Sequence, residues 1–146
     1  WKYERLRGKR HPKGHMMELM AGYYHDSLAR DWADVFIAWV ERTTTALAPY
    51  RQTVSMPSFS DPGLSGQTIK TGMEQVDFNR FYDELQATFP LAMRARDLAT
   101  TDLTASAKIW RQIFGDKFPL PGDDARKLAA PSVLTRPDIR QAPTFG

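Results

Sequence analysis

Apolar residues recur along this chain at the spacing of helices, not in the strict alternation of strands. From Met16 to Leu28, the positions Met17, Met20, Tyr24 and Leu28 fall three or four residues apart, behind a loop marked by Pro12 and Gly14, and predict a first core helix. A second opens at Asp31, whose carboxylate can accept the free N–H groups of a first helical turn. It sets Trp32, Val35, Phe36, Trp39, Val40 and Leu47 on one apolar stripe and must stop before Pro49. Periodicity then disappears between Tyr50 and Val76, where Pro57, Pro62, Gly63, Gly66 and Gly72 punctuate a connection too long for an ordinary helical hairpin. Long ordered loops in compact domains are usually functional or specifically packed.

Helix resumes at Asp77, a second capping candidate, with Phe78, Phe81, Tyr82, Leu85 and Phe89 facing inward; Pro90 should bend it before Leu91 to Ala99 continues. Either Thr101 or Asp102 caps the last helix, whose inward residues are Leu103, Ala107, Trp110 and Phe114. Gly115 suits a left-handed position at its end, and Phe118-Pro119 returns to the core and stops further helix. The pattern therefore predicts an all-α domain over 1–119, with about five main helical segments. Beyond it, Asp123 to Ala130 reads as a short helix. Pro131, Pro137 and Pro143 then divide a stretch without a periodic apolar face, so 120–146 reads as a tail, exposed and extended from Ser132 to Gly146.

Composition narrows the class. A chain of 146 residues can bury one domain's core without disulfides or metal, and it has no cysteine to offer either. No apolar run approaches the roughly twenty residues of a membrane span, and no charged-then-apolar leader is present, so a cytoplasmic location is expected. A helix-like segment already under way at Trp1 suggests a C-terminal portion of a longer polypeptide. Net charge is only +3, yet Lys2, Arg5, Arg7, Lys9, Arg10 and Lys13 crowd the N-terminal arm against the single carboxylate of Glu4. Such density suits phosphates of a nucleotide or nucleic acid, or simply a solvated helix end and loop.

The familiar catalytic constellations are missing. The chain holds no G-x-S-x-G elbow, no G-x-x-x-x-G-K-[ST] phosphate loop, no H-E-x-x-H pair and no cysteine nucleophile, so no catalytic residue and no metal ligand is assigned within it. His11 and His15 bracket a Pro-Lys-Gly loop, and with His25 they read as ordinary surface or loop histidines. Trp32, Trp39 and Trp110 lie on apolar stripes and read as core. Tyr23 and Tyr24, being adjacent, point in different directions, which leaves one of them available to a cleft.

Several motifs carry a family resemblance. The ending Trp110-Arg111-Gln112-Ile113-Phe114-Gly115-Asp116-Lys117-Phe118-Pro119 resembles the last core helix of the bacterial cyclic-oligonucleotide synthases, the CD-NTases related to oligoadenylate synthetase. Trp1 stands where that family has the Trp of a Lys-x-Trp element. Gly14-His15-Met16-Met17-Glu18 stands at a helix start of the S-Y-x-L-E kind, with Gly14 and His15 replacing the usual hydroxyl residue and Tyr. Asp61-Pro62 with Gln67 resembles the D-P-x-x-x-x-[NQ] loop, which Asp-Pro turn chemistry explains equally well as a purely structural feature. The four elements occur in the family's order.

The resemblance implies a two-lobed nucleotidyltransferase. One lobe would hold the Gly-Ser motif and the carboxylates for Mg²⁺; this chain would form the helical C-terminal lobe that closes over the donor nucleotide. Lys2, Arg5 and Lys13 would then shape the rim of the nucleotide cleft. The substrates would be NTPs, ATP among them, and the product a cyclic di- or trinucleotide messenger of a CBASS antiphage operon. Such operons often encode a ubiquitin-activating-type conjugating enzyme. The terminal Thr144-Phe145-Gly146 fits its chemistry, because an unbranched carboxyl terminus meets little hindrance when adenylated and passed to a thiol. Two other readings stay open: a stand-alone helical nucleic-acid-binding module using its basic N-terminal arm, and an adaptor whose active feature is its tail.

Overall fold

A computed structural model of the protein describes residues 5–6, 9–10, 12–26, 28–29 and 31–122, the first two pairs by their backbone alone. Among the described residues four helices carry the fold: α1 (Gly14–Tyr24), α2 (Trp32–Leu47), α3 (Gln75–Leu98) and α4 (Leu103–Phe114). Two short antiparallel hairpins accompany them, β1 (Arg5–Leu6) with β2 (Lys9–Arg10), and β3 (Ser58–Ser60) with β4 (Thr68–Lys70). The all-α expectation holds. The helix-like reading at Trp1 lies outside the described residues; of the N-terminal arm, Arg5–Leu6 and Lys9–Arg10 pair as strands, Arg5 opposite Arg10 and Leu6 opposite Lys9.

The long α3 is the central element and packs against both α2 and α4. Its Phe78, Phe81, Tyr82 and Leu85 meet Met16 and Met20 of α1, Val40 and Leu47 of α2, and Phe59 and Met73 of the connection in the main core. Burying each of these large side chains contributes about 1.5–3 kcal/mol. Further along α3, Ala92 meets Ile37 and Ile113, a smaller cluster that holds α4 in place.

Several boundaries differ from the periodicity, each for a local reason. The first helix stops at Tyr24, because His25 turns extended and the Asp26 carboxylate accepts the Leu28 N–H at 3.0 Å in a tight turn; Leu28 is left 85% exposed. The α3 helix starts two residues before Asp77, so Asp77 sits in the first turn instead of capping it, and is buried. Pro90 does not divide the helix. Pro90 and Gln86, whose carbonyl the missing N–H would have met, are both exposed, so water can serve the vacant acceptor and one helix of 24 residues replaces two segments. The unperiodic stretch begins within a 3-10 turn (Ala48–Gln52) that follows α2 directly, and it holds the β3–β4 hairpin, whose Phe59 plugs into the core.

The caps of α2 and α4 follow the sequence closely. Asp31 accepts from the Asp34 N–H at 2.8 Å, and Asp102, not Thr101, accepts from the Ala105 N–H at 2.9 Å. Gly115 ends α4 with φ +93° and ψ 178°, a conformation essentially reserved for glycine. The reading of 123–146 as a short helix and exposed tail, Thr144, Phe145 and Gly146 included, lies outside the described residues.

Candidate functional site

The apolar stripe of α2 is too wide for the core to cover. Its Trp39, Val40 and Leu47 are buried, but Trp32 at the start of the same helix is 88% exposed, against the expectation that it is a core residue. Leu103, expected to face inward, is likewise 61% exposed, since α4 meets the second cluster only through later positions. Trp39 is buried as expected and Trp110 is half-buried.

Between α1, α2 and the end of α4 lies an open apolar groove of about 640 Å³. Met17, Glu18, Ala21 and His25 form one wall, Trp32, Val35, Phe36 and Trp39 the floor, and Trp110, Phe114 and Phe118 the other wall. The far wall is an aromatic ladder. Trp110 stacks on Phe114 at 5.7 Å and Phe114 on Phe118 at 5.7 Å, with Phe36 crossing to Phe114 at 4.9 Å and edge-on to Trp110 at 5.9 Å. Spacings of this kind add about 0.5–1.5 kcal/mol per pair beyond the area buried. The carboxylate of Glu18 and the imidazole of His25 are the titratable groups on its lining, and His25 Nδ1 lies 2.9 Å from the Gly22 carbonyl of its own helix.

A second, more polar cleft of about 590 Å³ lies on the other side of Glu18, between α1 and the tip of the β3–β4 hairpin. His15, Gly22 and Tyr23 face Asp61, Pro62 and Ile69 across it. Tyr23 is the tyrosine that reaches a cleft. Its hydroxyl donates to the Ser60 carbonyl at 2.8 Å, and the rings of Tyr23 and Tyr24 both pack on Phe59, at 5.4 and 6.2 Å. Partial burial, then the neighbouring Tyr50 and Tyr23, push the Tyr24 hydroxyl above its ordinary 10.0. Asp61 does turn chemistry: one carboxylate oxygen accepts from Gly63 and Leu64 N–H at 2.8 and 3.2 Å, and its own N–H donates to the Gln67 carbonyl at 2.9 Å. The Asp-Pro…Gln element thus closes a loop on itself.

Of the residues expected at a nucleotide rim, Lys13 precedes α1 and is exposed, Arg5 lies on β1 with only its backbone described, and Lys2 falls outside the described residues. Among the described residues no group of three or more His, Asp or Glu side chains could hold a metal ion, and no helix is long and apolar enough to cross a membrane. The residues that line the groove were not singled out by sequence reasoning as a site. The available signal was the excess of aromatic residues in the first half of α2, Trp32, Phe36 and Trp39, and at the end of α4, Trp110 and Phe114.

The fold and groove define a helical lobe with one apolar face left open, a part suited to working against something else. No protein-family model matches the chain. Over 113 residues, 77% of its length, it is 30% identical to a cyclic AMP-AMP-GMP synthase of Enterobacter hormaechei subsp. hoffmannii. It is 24% identical over 82% of its length to a cyclic AMP-AMP-AMP synthase of an Acinetobacter species, and 29% identical over 88% to a probable cyclic AMP-AMP-GMP nucleotide synthase of Salmonella paratyphi B. The chain is thus similar over most of its length to these bacterial cyclic-oligonucleotide synthases and spans 29% to 34% of theirs.

Proposed function

We propose that this chain is the C-terminal helical lobe of a cyclic-oligonucleotide synthase that joins NTPs into a cyclic di- or trinucleotide signal in CBASS antiphage defence. The observation that carries this reading is similarity over 77% to 88% of the chain to a cyclic AMP-AMP-GMP synthase, a probable second one and a cyclic AMP-AMP-AMP synthase. In a reaction of this type Mg²⁺ would assist attack of a hydroxyl on the α-phosphate and departure of pyrophosphate. On this reading the ion's ligands and the Gly-Ser motif would lie in the larger remainder of the synthase. This chain's own contribution is binding and orientation. Lys2, Arg5 and Lys13 supply positive charge at the cleft rim, which attracts triphosphates and weakens as salt screens it.

Two finer parts of the proposal concern partners and place. The terminal Gly146 would be engaged by a ubiquitin-activating-type enzyme, supported by the slender proline-punctuated approach to Thr144-Phe145-Gly146. The synthase would act in the cytoplasm, where NTPs and Mg²⁺ are plentiful.

The test is mass spectrometry of products from the full-length gene product incubated with all four NTPs and Mg²⁺, beside a version ending at Pro131. A cyclic oligonucleotide from both is expected, with adducts through Gly146 formed only by the intact tail when the conjugating enzyme is supplied. A gene lacking upstream Gly-Ser and carboxylate elements would overturn the synthase reading. Steeply salt-dependent DNA or RNA binding by that product would put a nucleic-acid-binding module in its place.

A further inference from the structure

We propose that Tyr23 is a positioning residue for substrate: its hydroxyl holds the tip of the β3–β4 hairpin at a fixed distance from α1, and the cleft so formed takes the base of a nucleoside triphosphate. The inference deepens the reading of this chain as one lobe of a synthase and rests on it.

The tip is a wall braced from within. The Asp61 carboxylate accepts from the Gly63 and Leu64 N–H groups, the Gln67 N–H donates to the Leu64 carbonyl at 3.1 Å, and the Asp61 N–H donates to the Gln67 carbonyl, so 61–67 moves as one piece. Its position relative to α1 is set at its root. There Phe59 enters the core, and Ser60, the last residue of β3, accepts the Tyr23 hydroxyl at 2.8 Å. Phe59 fixes how deep the hairpin sits, whereas the Tyr23–Ser60 bond, one residue before Asp61, fixes the gap between tip and helix. The fold does not depend on that bond. Without the hydroxyl the Tyr23 ring keeps its seat on Phe59 at 5.4 Å, and water can serve the exposed Ser60 carbonyl.

The lining selects the occupant. Leu19, Ile69 and the ring of Pro62 offer apolar surface to the faces of a flat heterocycle, and Glu18 and Asp61 add carboxylates at its edge. One oxygen of Asp61 is engaged in its turn. Carboxylates only accept hydrogen bonds, so they match the exocyclic amino group of adenine or the N1–H and amino edge of guanine. They repel phosphate, which leaves the triphosphate outside this cleft.

The experiment compares the full-length wild type with Tyr23→Phe and Tyr24→Phe. Tyr24 packs on the same Phe59 ring at 6.2 Å and serves as control. Hydrogen exchange read by mass spectrometry is expected to be about three- to tenfold faster over 58–70 in Tyr23→Phe, the equivalent of one hydrogen bond, and unchanged in Tyr24→Phe. Calorimetry with the α,β-methylene analogue of ATP or GTP, which cannot release pyrophosphate, should show binding weakened by a similar factor in Tyr23→Phe, while inorganic tripolyphosphate binds as before. In turnover, KM for the same nucleotide should rise with kcat kept. Unchanged exchange or analogue binding in Tyr23→Phe, an equal loss for tripolyphosphate, an equal response in Tyr24→Phe, or a fall in kcat with KM held would each overturn the inference. A wild type that binds the analogue and forms cyclic product, matched in both by Tyr23→Phe, sinks this inference alone. A wild type that binds no nucleotide and forms no product sinks the functional reading with it.

Discussion

Gly115 tolerates less change than any neighbour on α4, because its φ of +93° and ψ of 178° lie in a region that a Cβ forbids. Gly115→Ala should cost about 1–3 kcal/mol in urea unfolding. Gly22→Ala, on the exposed side of α1 with nothing within 4 Å of the added carbon, should instead stabilise by about 0.5–1 kcal/mol. At the core, Leu85 is fully buried among Phe78, Tyr82 and the α2 residues, and Leu85→Ala should cost about 2–5 kcal/mol by the same measurement. Tyr24 sets a pH limit. Its hydroxyl ionises at higher pH in the folded protein than at the ordinary 10.0, chiefly through burial. Between those values the unfolded chain binds fewer protons, so the stabilisation is fully present below pH 10 and is lost as pH rises through the folded value. Thermal unfolding scanned from pH 8 to 11 should fall less steeply above pH 10 in Tyr24→Phe than in the wild type.

The junction between α3 and α4 shows how neighbouring elements finish one another. As α3 ends, the Ala99 N–H turns to the Arg96 carbonyl at 3.0 Å, and Ser106 of α4 donates its hydroxyl to the Ala95 carbonyl at 2.6 Å in a buried setting. Removing that donor while the acceptor stays buried costs about 1–3 kcal/mol, so Ser106→Ala should destabilise by that amount in chemical denaturation. A cap at Thr101 or Asp102 was legible because capping chemistry is local, a short acceptor immediately before an apolar-periodic run; the structure decides for Asp102. Ser106 was not legible, since nothing in its neighbours along the chain points to a carbonyl eleven positions earlier. The β3–β4 hairpin escaped for another reason. Ser58-Phe59-Ser60 and Thr68-Ile69-Lys70 are too short for a period of two to register, and Phe59 draws its burial from Met73 and the helices around it. Likewise, the Asp61 turn was readable as a turn, but the cleft it borders with Tyr23 required α1 to be laid against it.

The molecule as a whole is stabilised around α3 and open along the α1–α2–α4 face. Native-state hydrogen exchange should therefore be slowest along α3 from Phe78 to Ala92 and fastest at the hairpin tip from Asp61 to Gln67, where the backbone is exposed; uniform protection across both would contradict a core centred on α3. The identity of the helices, the Asp31 and Asp102 caps, the glycine stop at Gly115 and the resemblance to cyclic-oligonucleotide synthases were all written in local order along the chain, because spacing, capping and motif order are properties of neighbouring residues. Coverage was not. Periodicity states the direction in which Trp32, Leu103 or Phe114 points from its helix, while burial depends on whether another element stands there. Packing covers Ile37 and Val40, leaves Trp32 in water and opens an apolar groove between helices whose sequences, read separately, had each promised a filled core.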